Sequence, residues 1–123
     1  MRELSNHFAI IPADLISNSL KMGESITIPA GAEEYVCPKK VIFDQTPSES
    51  AAGISYSMTF RAVTSDQNVV RHNKSRAYIA LIFTDGSIEI IGTHSSAPTI
   101  ITTPYQNLMV VETSFSTPDP IIL

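Results

Sequence analysis

The clearest pattern lies in residues 53–63, where Ile54, Tyr56, Met58 and Phe60 alternate with Ser55, Ser57, Thr59 and Arg61. Period two with one polar face predicts a half-buried antiparallel strand. Eleven residues at ~3.4 Å rise extend roughly 37 Å. A folded chain of 123 residues has a radius of gyration of about 14 Å. Such a strand either bends at a bulge or projects beyond the body. Further on, the apolar run 76–83 passes through Thr84-Asp85-Gly86-Ser87 into the run 88–92. Asp-Gly between two β-rich runs predicts a hairpin with a type I′ turn. The first of these runs is apolar on both faces, which predicts a central strand covered on each side. A third run, residues 107–116, begins apolar on both faces and then sets Thr113 and Phe115 opposite Glu112, Ser114 and Ser116.

Shorter strands are expected at residues 8–11, 25–28, 40–43 and 99–103. The eight prolines leave residues 48–97 free, and because proline cannot donate a ladder hydrogen bond, uninterrupted strands belong in that window. Helix signals are few: residues 13–22 carry Leu15, Ile16 and Leu20 before a possible C-cap at Gly23, and residues 65–72 suit a short turn. The expected class is therefore all-β and mainly antiparallel. It is a β-sandwich or β-barrel of about eight strands with at most one or two short helices, formed by residues 1–123 as a single domain.

Composition narrows the function classes. Lys plus Arg is 8 against 12 Asp plus Glu, a net charge of −4, which argues against a non-specific nucleic-acid binder. With 43% hydrophobic and 16% charged residues, the chain is too apolar to be disordered. No apolar run reaches the ~18 residues that span a bilayer. At the N-terminus the run 8–11 stops at Pro12, shorter than the ~7–15 apolar residues of a secretory signal, so a cytosolic start is expected. A single cysteine, Cys37, leaves no intramolecular disulfide or multi-cysteine zinc site. Lys39 and Lys40 close to it are one route to a lowered thiol pKa, set against the ordinary expectation of a small buried thiol.

No catalytic or cofactor motif stands out, and neither a metal nor a cofactor is expected. His7, His72 and His94 lie far apart, without the short-range pair typical of zinc sites. Gly92-Thr93-His94-Ser95-Ser96 sets a histidine beside hydroxyls, the sole motive for a small β-barrel enzyme, but it is equally good turn chemistry. Glu33-Glu34, Asp44, Glu49 and Asp66 read as solvated loop charges rather than an acid–base pair. Phosphate-binding loops are absent. Arg71, Lys74 and Arg76 fall within six residues; they are candidate contacts for DNA or an acidic partner, or else a solvated connection that guards the following apolar strand from aggregation.

The C-terminal tail is more informative. Pro118 and Pro120 stop a strand, after which Ile121, Ile122 and Leu123 follow. Burying such side chains stabilises by roughly 1.5–3 kcal/mol each before ordering costs. An apolar tail over residues 117–123 is therefore expected to dock on its own domain or on a neighbouring subunit.

The segment 78–92 with its Asp-Gly turn, the following Pro98, and Glu112-Thr113-Ser114-Phe115-Ser116 with Pro118 resemble small virion proteins of tailed bacteriophages and prophages. The likeness is to neck or tail components of the connector, tail-terminator or tail-tube type, and it covers roughly the last 70 residues. It brings no catalytic residues. The resemblance implies a non-enzymatic subunit of a homo-oligomeric ring around a DNA channel, contacting adjacent virion proteins and assembled in the bacterial host cytoplasm. DNA would pass through the lumen without sequence-specific binding, and the acidic balance suits sliding. The alternative is a monomeric β-sandwich binding module for a small ligand, peptide or carbohydrate, although absent Trp disfavours a carbohydrate platform.

Overall fold

A computed structural model describes residues 3–12, 32–51, 53–91 and 97–117. Eight strands form two four-stranded antiparallel sheets: β1 (Leu4–Pro12), β2 (Glu33–Val36), β3 (Ile42–Ser50), β4 (Gly53–Thr64), β5 (Ala77–Phe83), β6 (Ile88–Ile91), β7 (Ile101–Tyr105) and β8 (Leu108–Thr117). One sheet runs β2-β1-β5-β6 and the other β3-β4-β8-β7. A 3-10 helix, Gln67–His72, carries the chain from β4 in one sheet to β5 in the other. The class is the expected all-β sandwich.

The alternation read in residues 53–63 fixes which side of β4 meets the core. Met58, Phe60 and Ala62 are buried between the sheets with Phe8, Ile79, Leu81 and Val111. Phe8 stacks on Tyr35 at 5.4 Å between ring centroids and tilts against Phe60 at 5.3 Å, geometries that add to simple area burial. Strand β5 is buried on both faces, as its unbroken apolar run implies: Ile79 and Leu81 face the main core, while Tyr78 and Ala80 pack outside with Ala9, Ile11, Ile90 and Ala97.

Three local expectations are corrected. The β5–β6 connection is not a type I′ turn, because only Gly86 has positive φ, at 88°. Gly86 N–H donates to Phe83 O at 3.0 Å and Phe83 N–H to Ser87 O at 2.9 Å. The result is a three-residue loop with glycine in the left-handed position, braced by the Asp85 carboxylate, which accepts from Ser87 N–H at 2.9 Å. Strand β3 does not end near Phe43 but runs through Pro47 to Ser50. As an edge strand it tolerates a proline, which a central strand would not. The chain at Glu33 and Glu34 is strand β2 rather than loop, paired with β1 from Ile10↔Glu33 to His7↔Val36. The expected strand at 25–28 and helix at 13–22 lie outside the described residues.

Strand β4 projects instead of bending. It pairs with β3 without a break from Ile42↔Arg61 to Ser50↔Gly53, whereas its described pairing with β8 ends at Tyr56↔Thr117. Core side chains stop at Phe43 and Met58; none of residues 44–57 belongs to the core. The outer part of the β3–β4 hairpin forms an arm, with Thr46, Pro47, Ser48, Glu49, Ser50 and Ile54 all exposed.

Candidate functional site

Three features outside the core carry chemistry: the arm, the outer face of the sheet that bears it, and a charged cluster beside the 3-10 helix.

On the arm, Glu49 and Ile54 sit directly opposite each other. They share the side of the sheet that, closer to the body, presents Phe43 and Phe60 to the core. Past the core edge on this face, Ile54 is 52% exposed.

At the opposite end of the same sheet an open groove of about 330 Å³ is lined by Ile42, Val63, Leu108 and Tyr105, with Lys39, Lys40 and Arg61 contributing charge. Register places Ile42 beside Arg61, Arg61 beside Glu112, and Tyr105 beside Leu108. All lie on the outer face because their sequence neighbours Phe43, Phe60 and Met109 point inward. Ile42 and Tyr105 are 51% and 60% exposed. Lys40 approaches Glu3 at 3.8 Å, while Lys39 and Arg61 form no ion pair among the described residues.

The charged cluster corrects the reading of Glu33 as a solvated loop acid. Glu33 pairs with Arg71, accepts a hydrogen bond from the Tyr35 hydroxyl at 2.8 Å, and lies 3.7 Å from His72 Nε2. His72 is buried and its ring sits edge-on to Tyr35 at 6.2 Å. The Asp66 carboxylate caps the helix by accepting from Asn68 N–H at 3.0 Å, which presents Arg71 and His72 to β2. Glu33 thus ties strand β2 to the helix. Burial, reinforced by the Arg71 charge, holds the His72 pKa below 6.5. Folded protein therefore resists protonating His72 while the unfolded chain takes up the proton. Stability is full above pH 6.5 and is lost as pH falls from there toward the lower folded-state pKa. Urea midpoints should drop on going from about pH 7.5 to about pH 5.5, and His72→Gln should flatten part of that slope. An unchanged slope in the variant would contradict this assignment.

The basic segment is largely committed to the fold. Arg71 pairs with Glu33 and Arg76 Nε donates to Ala97 O at 3.3 Å. The intervening backbone crosses to the 99–102 segment through Lys74 N–H to Ile100 O at 2.7 Å and Ile100 N–H to Ser75 O at 2.8 Å. Lys74 is exposed at positive φ of 63°. The tail residues Pro118, Pro120, Ile121, Ile122 and Leu123, and His94, lie outside the described residues.

Cys37 is buried, and desolvation pushes its pKa up to about 11, against a smaller lowering by the Val63 backbone. Lys39 and Lys40 are exposed and do not activate it. Native protein should react with a thiol reagent at neutral pH far more slowly than urea-unfolded protein; equal rates would contradict the burial. Among the described residues, no group of three or more His, Cys, Asp or Glu is placed to hold a metal ion, and no helix is long and apolar enough to cross a membrane. No protein-family model, curated protein or solved structure matches the chain.

The arm was legible as an over-long strand. The groove was not, because it is assembled from residues on β3, β4, β7, β8 and the 38–40 turn. Nor was the Glu33–His72 cluster, whose members lie far apart along the chain.

Proposed function

We propose that this chain is a non-enzymatic structural subunit of a tailed-phage virion, in the neck or tail, that assembles into a homo-oligomeric ring around the DNA channel. The observation that carries the assembly reading is the arm: an exposed hairpin end whose Ile54 is 52% exposed and which adds no described residue to the core. Laid on a neighbour, such an end gains apolar burial. The virion assignment rests on the resemblance of residues 78–92 and 112–118. Adjacent virion proteins are the further partners, and an acidic chain of net charge −4 suits a lumen along which DNA slides without sequence-specific contacts. With Arg71 on Glu33 and Arg76 on a backbone carbonyl, Lys74 is the cation of that segment best placed for a DNA or acidic-partner contact.

A second reading, a monomeric binding module for a small ligand or peptide, is favoured by the open groove between Ile42 and Tyr105. Negative-stain imaging of the purified full chain separates the two. Rings with a central opening are expected. Small compact particles without an opening, carrying a ligand from the expression host, would favour the binding module instead.

A further inference from the structure

We infer that the occupant of the outer-face groove is the arm tip of a second copy of this chain, so that the subunits join head to tail. The inference rests on the assembly reading above and specifies its contact.

The two surfaces match in chemistry. The tip offers one aliphatic side chain, Ile54, with one carboxylate, Glu49, directly across the ribbon from it. The groove offers an apolar floor of Ile42, Val63 and Leu108 with Arg61 and Lys39 at its margin. Glu49, Lys39 and Arg61 make no ion pairs among the described residues. Although Glu112 stands beside Arg61 and Glu3 beside Lys40, the groove lining itself holds three cations and no carboxylate. On a chain of net charge −4 this favours an acidic partner, and a second copy supplies one.

The two surfaces cannot meet within one molecule. Groove and tip lie at opposite ends of strand β3, from Ile42 to Glu49; seven residues at ~3.4 Å separate them by roughly 24 Å. They also face opposite sides: the groove opens on the outer face of the sheet, while Ile54 continues its inner face. A contact between two different patches is heterologous. Repetition of such a head-to-tail contact gives a closed ring or an open filament.

Two exposed-site variants test this. Ile54→Asp spoils the tip and leaves the groove intact; Ile42→Asp spoils the groove and leaves the tip. Each alone is expected to run as a 13.4 kDa monomer. Mixed, they should form a one-to-one complex of twice 13.4 kDa and nothing larger, because one intact tip meets one intact groove and no further contact is possible. Formation of the complex also shows that both variants fold. The charge pair gives a second measurement: Glu49→Lys and Arg61→Glu each weaken assembly, and the double variant restores it. If wild-type chain assembles and both Asp variants assemble equally well, the inference is overturned while the assembly reading stands. Variants that stay monomeric when mixed overturn it as well, provided each still unfolds cooperatively. Wild-type chain that is monomeric throughout overturns both.

Discussion

A Phe60→Ala variant is expected to lose about 3–5 kcal/mol of folding stability, the range for truncating a buried aromatic. Phe60 is 1% exposed and packs against Phe8, which in turn stacks on Tyr35. It stands on a central strand of its sheet, between β3 and β8, so both neighbours restrain collapse around the hole. Native domains are stable by only about 5–15 kcal/mol, which makes this a large fraction of the total. Urea unfolding at fixed protein concentration should show the midpoint lowered by about 2 M for a typical dependence on denaturant. Ile54→Ala, on the same strand and the same alternating face but beyond the core, should change it by no more than about 0.5 kcal/mol. A similar loss at both positions would mean that the arm packs on its own body.

Excising the arm is expected to separate assembly from folding. Replacing residues 47–56 by Asn-Gly joins Thr46 to Ser57, which already face each other across the ribbon, through a two-residue turn suited to that connection. No described residue between Phe43 and Met58 belongs to the core, so cooperative unfolding should survive with little change in midpoint. Oligomer mass, in contrast, should fall to that of the single chain. Retention of the full oligomer would remove the arm from the interface; loss of cooperative folding would show that the ribbon stabilises the sandwich itself.

Much of the fold was legible because it follows from period two. The alternation around Met58 and Phe60, the two-sided apolar run in β5 and the partly alternating β8 each fix a face locally. The length of β4 left a bend or a projection open, and only its unbroken register with β3 excludes the bulge. What stayed hidden depends on partners distant in sequence. Strand β2 is four residues led by two glutamates, and only its pairing with β1 and the contacts of Glu33 with Tyr35 and Arg71 make it a strand. Strand β3 continues past Phe43 through Pro47 because it is an edge strand, a position that only the assembled sheet reveals. The Asp85-Gly86 dipeptide marks the hairpin, but its turn type depends on the φ of one residue. Candidate interface residues divided the same way: the tip is one continuous segment, whereas the groove gathers residues from across the sheet.

Absolute mass in solution is the most direct test of the central claim that this chain is built to assemble. Light scattering on the full chain over a concentration series should give a whole-number multiple of 13.4 kDa that is larger than the dimer, as a head-to-tail contact repeats until it closes. A mass of 13.4 kDa at every concentration would contradict the account.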